Sequence, residues 1–187
     1  MKVFECHIPG LLEIHPSVFG DSRGYFFESY SKQAFHDAGI KEEFVQDNQS
    51  LSSKGVLRGL HFQNPPYAQG KLVRVIQGAV LDVAVDIRVG SPTYGQHYKV
   101  ELTGENKKMF WVPPGFAHGF LTLEDNTIFA YKCSGLYNKE SEGSVRWDDL
   151  ELGIDWNVSN PAVSEKDLIA PSFADLKSKF TFDEQAI

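Results

Sequence analysis

The chain has 187 residues, 42% of them hydrophobic and 23% charged, with a net charge of −7 at neutral pH. That length suits a single domain with a sizeable core, and the balance excludes an intrinsically disordered chain. The negative charge argues against a general nucleic-acid surface, and no segment approaches the ~20 apolar residues that span a bilayer.

The opening residues, Met1 to His7, lack the apolar stretch of a signal peptide, so a cytoplasmic location is expected. Residues 1–30 hold two short apolar segments around the turn Phe19-Gly20-Asp21-Ser22-Arg23-Gly24. Residues 31–39 read as a short helix, with Ser31 as N-cap, Phe35 and Ala38 on one face and Gly39 closing the end. From residue 45 onward the pattern is mostly strand. Lys71 to Ile76, a Gln77-Gly78 turn and Ala79 to Val89 read as a hairpin. In its second arm Leu81, Val83, Val85, Ile87 and Val89 alternate with Asp82, Ala84, Asp86 and Arg88, which predicts one buried and one polar face. Further strands are expected near 96–103, 108–113, 117–123 and 126–133, and a short helix over Phe173–Phe180. Many short strands with Gly/Pro turns and 14 Phe predict an all-β sandwich or jelly roll with a few short peripheral helices. One domain over 1–187 is expected: N-terminal strands and short helix in 1–45, a jelly-roll core in 46–160, and a C-terminal loop and helix in 161–187.

The run Gly55 to Gln63, followed by Lys71 to Val75, sets Arg58, His61, Lys71 and Arg74 among Val, Leu, Ile and Phe. A core-facing strand has no structural need for a guanidinium, an imidazole and an ammonium so close together. A site that takes a proton from carbon and holds the developing negative charge does need them. Arg58 and His61 are three residues apart, so a regular strand points them to opposite faces. Both can face one cavity only if the strand bulges, and Gly59 is the residue that permits it. Arg74 and Arg88 read as ordinary surface or ion-pair residues. The clusters Trp147-Asp148-Asp149 and Asp155-Trp156 read as loop-fixing packing.

Pro113-Pro114-Gly115-Phe116-Ala117-His118 matches P-x-G-x-x-H and resembles the second motif of cupin jelly rolls. In metal-binding cupins that histidine joins an H-x-H pair and a glutamate. Here the corresponding region has His61 with Gln63 in place of the second histidine, short of the three ligands a catalytic metal needs. No catalytic metal is expected. Cys6 and Cys133 lack metal-ligand spacing, are too few for a disulfide framework, and are expected reduced.

Several further segments, in order, resemble the dTDP-4-dehydrorhamnose 3,5-epimerase family: residues 19–28, Phe44 to Asn48, Gly55 to Gln63, Pro65 to Lys71, Pro114 to Phe120 and Ser164 to Asp167. The resemblance runs from about residue 1 to about residue 170. It implies epimerisation of a dTDP-linked 4-keto-6-deoxyglucose at C3 and C5, whose protons the C4 ketone acidifies. No cofactor is implied, and no G-x-G-x-x-G after a strand suggests a nicotinamide. His61 is the expected base, since an imidazole exchanges protons near neutrality. By resemblance Asp167 pairs with it, Tyr131 is the opposite-face acid, and Lys71 stabilises the enolate. Arg23, Arg58 and Lys166 match diphosphate contacts, where charged forks suit the anion. Phe26 and Glu28 match the thymidine side. Gln46, Asp47, Asn48, His118 and Glu142 match other substrate positions, and Tyr137 flanks the sugar or covers the rim. A homodimer with exchanged N-terminal strands is implied, bringing Arg23, Phe26 and Glu28 to the neighbour's site. The alternatives are a C3- or C5-mono-epimerase of a related sugar, a noncatalytic nucleotide-sugar binder, and a metal-dependent cupin oxygenase. Ordinary packing is the competing reading for His118 and Tyr131, and helix entry for Asp167.

Overall fold

In the computed structural model, which describes residues 1–183, the regular secondary structure is almost entirely strand. The N-terminal part supplies β1 (Lys2–Glu5), β2 (Leu12–His15), β3 (Phe19–Asp21), β4 (Gly24–Phe26) and α1 (Lys32–Asp37). The body follows as β5 (Gln46–Ser52), β6 (Val56–Gln63), β7 (Lys71–Gln77), β8 (Ala79–Asp86), β9 (His97–Thr103), β10 (Met109–Val112), β11 (Phe116–Thr122) and β12 (Thr127–Cys133). The tail holds β13 (Glu142–Ser144), β14 (Ala162–Val163) and the single turn α2 (Glu165–Leu168).

Two antiparallel sheets pack as a sandwich, in orders β1-β2-β10-β7-β12-β5 and β13-β6-β11-β8-β9. Between them Val73, Val75, Phe110 and Phe129 of the first sheet meet Val80, Ala84, Leu102 and Phe120 of the second. The rings of Phe120 and Phe129 stack with centroids 4.1 Å apart. Each such side chain taken from water contributes about 1.5–3 kcal/mol. Both outer faces are also covered. Phe35 of α1, with Ile40 and Phe44, closes over Ile14, Leu72 and Trp111. Val145, Leu152, Trp156, Phe173 and Phe180 close over Leu60, Val83, Val85 and Leu121.

The helix expected over 31–39 forms as α1, with Ser31 Oγ accepting from Ala34 N and Gly39 past its end at φ +94°. The four later strands lie within a residue or so of the expected ranges. Trp156 Nε1 donates to Trp147 O at 2.8 Å, and Asp149 Oδ2 accepts from Phe173 N at 2.8 Å, so both Trp/Asp clusters do fix loops.

Three expectations need correction. First, β7 and β8 are not a hairpin: β7 pairs with β10 and β12, while β8 pairs with β11 and β9. The chain passes from one sheet to the other at Gly78. A Cβ there would lie 2.3 Å from Thr127 Oγ1, so the corner closes tightly only on glycine. Second, β8 has no polar, solvated face. It is an inner strand covered on both sides: Val80 and Ala84, on the side of Asp82 and Asp86, face the other sheet, the tail covers Val83 and Val85 on the opposite side, and both aspartates are fully buried. Each therefore has a partner. Asp86 holds Arg88 at 2.7 and 2.9 Å, and Arg88 is buried against the Phe116 ring, not on the surface. Third, Phe173–Phe180 is not a helix. One turn from Ser172 to Leu176 gives way to extended chain, which Val89 N anchors by donating to Phe180 O at 2.9 Å. Phe173 and Phe180 both dock on the second sheet, so their seven-residue spacing reflects two separate contacts.

Candidate active site

The polar residues of the inner faces gather at one end of the sandwich, around a cavity of about 520 Å³. Arg58, His61, Lys71, His118, Tyr131, Lys166 and Asp167 all line it. The first two come to the same side because β6 is bulged. His61 pairs with His118 and Arg58 with Phe120, so β6 advances three residues while β11 advances two. Gly59 sits in that irregularity at φ +139°, and a Cβ on it would lie 2.6 Å from Gly119 Cα. Only glycine meets both demands.

His61 Nε2 donates to Asp167 Oδ1 at 2.6 Å. That leaves Nδ1 as the basic nitrogen of the ring. The His61 side chain is 38% exposed and that of Asp167 only 3%. Burial pushes the Asp167 carboxyl up, but the hydrogen bond and charge of His61, with Gly59 N–H and Ser164, outweigh it and hold the group below the ordinary carboxylate range. Ser164 Oγ also caps α2 by accepting from Asp167 N at 3.2 Å. The helix-entry and pairing roles of this segment therefore coexist, because Asp167 uses its amide for one and its carboxylate for the other.

A second His–Asp pair stands beside the first. His118, opposite His61 in the register, donates from Nε2 to Asp82 Oδ1 at 2.8 Å. Lys71 opens β7, where burial pushes its ammonium below the usual lysine range while Cys133 and Asp82 act the other way. Tyr131 lies across the sandwich on β12. Burial raises its phenol, Cys133 adds to the rise, and Arg58 and a hydrogen bond from Asn48 oppose it, so it stays protonated at neutral pH. Arg58 reaches Ser52 Oγ from Nε at 3.4 Å and Nη2 at 3.2 Å.

The rim is a chain of contacts. Gln46 Oε1 accepts from Tyr137 N at 3.1 Å, Tyr137 Oη donates to Glu142 at 3.0 Å, and Lys166 Nζ donates to Glu142 at 2.6 Å. Lys166, foremost, keeps Glu142 below the ordinary carboxylate range. Asn48 and Asp47 border a smaller adjoining cavity of about 370 Å³ that Tyr131 shares. Asn48 donates to Cys133 Sγ at 3.5 Å, and Asp47 is exposed and paired with Lys132 at 2.9 Å. Arg23, Phe26 and Glu28 do not line the main cavity. Arg23 and Phe26 belong to the exposed hairpin β3–β4, where Arg23 forks onto Asp21 at 2.6 Å, and Glu28 follows it in the chain.

Sequence reasoning missed Asp82, Ser50, Ser52 and Cys133. The signal for Asp82 was present: an acid in the middle of a Val-rich strand is costly unless a neighbouring strand supplies a partner for it. Among the described residues, no three His, Cys, Asp or Glu side chains are grouped to hold a metal ion.

Residues 5–175 match the family model described as dTDP-4-dehydrorhamnose 3,5-epimerase. The enzyme of that name from Salmonella typhimurium is 54% identical over 173 residues, covering 91% of this chain and 94% of the relative. A Legionella pneumophila 3,5-epimerase solved with dTDP-4-keto-L-rhamnose superposes with a TM-score of 0.93 at 46% identity, covering 97% and 98% of the two chains. A 3′-monoepimerase from Streptomyces bikiniensis, solved with dTDP-quinovose, gives 0.86 at 34% identity over 90% and 86%. Similarity of this extent leaves one assignment: the chain belongs to the dTDP-4-dehydrorhamnose 3,5-epimerase family.

Proposed function

We propose that the chain epimerises dTDP-4-dehydro-6-deoxy-D-glucose at C3 and C5 to dTDP-4-dehydro-β-L-rhamnose, a step of dTDP-L-rhamnose biosynthesis. The observation that carries the reading is the His61–Asp167 pair at 2.6 Å, facing the cavity that Tyr131 and Lys71 also line. His61 Nδ1 takes the proton from the carbon beside the ketone, and the buried Asp167 carboxylate balances the imidazolium. The electrons of the broken C–H bond move to the C4 oxygen, where the Lys71 ammonium stabilises the enolate. Tyr131 returns a proton to the same carbon from the other face. Solvent then reprotonates the phenolate and takes the proton from the imidazolium. The second carbon follows the same course. Arg58 and Lys166 hold the diphosphate, and His118, Asn48, Gln46, Tyr137 and Glu142 border the sugar.

Arg23, Phe26 and Glu28 serve the neighbouring subunit's cavity in a homodimer. Supporting this, the arm bearing them exposes Phe19, Tyr25 and Phe26 at 66%, 58% and 71%. Mixed dimers of Arg23→Ala and His61→Ala subunits are expected to regain activity that neither variant has alone. No gain in the mixture would remove the exchange.

Incubation with the dTDP-4-keto sugar in deuterated water tests the reaction itself. Deuterium at both C3 and C5 is expected. Label at one carbon makes the chain a mono-epimerase, and no label ends the enzyme reading.

A further inference from the structure

Strand β5 presents Gln46, Asn48, Ser50 and Ser52 at every second residue on its inward side. Three of the four are engaged: Gln46 with Tyr137, Asn48 with Cys133, and Ser52 with Arg58. Ser50 is not. Its Oγ is shielded from solvent and has no hydrogen-bond partner among the described residues, although the residue lines the catalytic cavity. Its cross-strand neighbour is Phe129, which stacks on Phe120, and both rings line the same cavity. The surrounding wall is therefore apolar. A buried hydroxyl without a partner is unfavourable, whereas one bonded to a ligand is not. A turn of χ1 to another staggered well changes the direction of this hydroxyl without moving β5.

The register places the serine between two functional groups. Asn48, one step before it on that face, pairs with Tyr131, and Ser52, one step after it, holds Arg58. If Tyr131 works at the reacting carbons and Arg58 at the diphosphate, Ser50 faces the part of the sugar between them. In a C1-linked 4-keto-6-deoxy sugar that part is C2. Its hydroxyl is the only one on a carbon whose configuration the reaction leaves alone.

We propose that Ser50 is a sugar-contacting residue whose hydroxyl donates to the C2 oxygen of the substrate, holding the ring while C3 and C5 exchange their protons. The assignment rests on the epimerase reading above.

The test compares wild type and Ser50→Ala on the dTDP-4-keto-6-deoxyglucose substrate and on its 2-deoxy analogue, with dTDP binding and thermal melting measured alongside. On the normal sugar, Ser50→Ala is expected to lower kcat/KM about three- to tenfold, the value of one net hydrogen bond. On the 2-deoxy sugar both proteins should perform alike. The affinity for dTDP should not change, and the melting temperature should not fall, because the lost hydroxyl has no partner within the protein. Unchanged kcat/KM on the normal sugar overturns the proposal. So does a full multiplication of the serine and C2 effects, or a matching loss of dTDP affinity, which would make Ser50 a phosphate contact. If the wild-type protein exchanges no deuterium, the epimerase reading itself fails, and that is seen before any variant is made.

Discussion

Two histidines stand side by side on β6 and β11, each with a carboxylate on Nε2, at 2.6 Å for His61 and 2.8 Å for His118. Their settings differ. The His61 side chain is 38% exposed, and its acid comes from α2, late in the chain. His118 is 6% exposed, and its acid lies in the middle of central strand β8. A His–Asp pair is therefore not in itself a catalytic element. In the proposed mechanism, access to the free ring nitrogen separates the base from the residue that fixes the cavity wall, and access follows from position: the bulged strand brings His61 to the opening, while β8 holds His118 at depth.

The largest expected effect breaks the comparison on the His61 side. His61→Ala should reduce solvent exchange at C3 and C5 by about 10⁴-fold while dTDP still binds. Exchange at the native rate would move the base elsewhere. Asp167→Asn should follow, with a loss of about 10²-fold in kcat, because the ring keeps its neighbour but loses the charge that balances the imidazolium. The same variant has a stability signature. The folded carboxyl lies below its ordinary range, so its contribution is complete above about pH 4 and fades as pH falls through the folded value. Acid unfolding of Asp167→Asn should lack that component. An identical acid limb in both proteins would show that the pair adds nothing to folding.

On the His118 side the order reverses, with stability affected more than rate. Asp82→Asn should cost about 1–3 kcal/mol in denaturant unfolding, since it disturbs a fully buried hydrogen-bonded group. Its effect on exchange should be smaller than that of Asp167→Asn. If Asp82→Asn proves the slower enzyme of the two, the roles of the two pairs are interchanged. The smallest effect concerns pH. Burial lowers the Lys71 ammonium, so it loses its charge, and with it the enolate contact, at a lower pH than an ordinary lysine. The alkaline limb of kcat should shift upward in Lys71→Arg, because a guanidinium stays charged. A limb that does not move belongs to another group.

Much of the site was legible along the chain. The cations and histidine of β6 and β7 stood out because an apolar strand does not require them, and the distance between Arg58 and His61 already demanded a bulge at Gly59. That bulge is present. What local pattern misread was environment. Alternation along β8 looked like one wet face, since period two records which residues share a side and not what covers that side. The side read as wet, which carries Asp82 and Ala84, faces the other sheet, while residues beyond 144 cover the Val83 and Val85 side, and no window on β8 contains either cover. The β7–β8 hairpin failed for a related reason. A Gly turn between two strands reverses direction equally well within one sheet or between two.

By itself, then, the sequence determined the strand-rich class, α1 and its cap, the bulge, and most of the polar residues that meet in the cavity. These depend on backbone preference, side-chain period and chemical type, which neighbours in the chain settle among themselves. Only the tertiary structure decided that Asp167 reaches His61 from 106 residues away, that Asp82 is buried against His118, and that Ser50, alone on its strand face, has no partner among the described residues. Each depends on which distant segment fills a space, and the packing of the two sheets and the tail selects that segment.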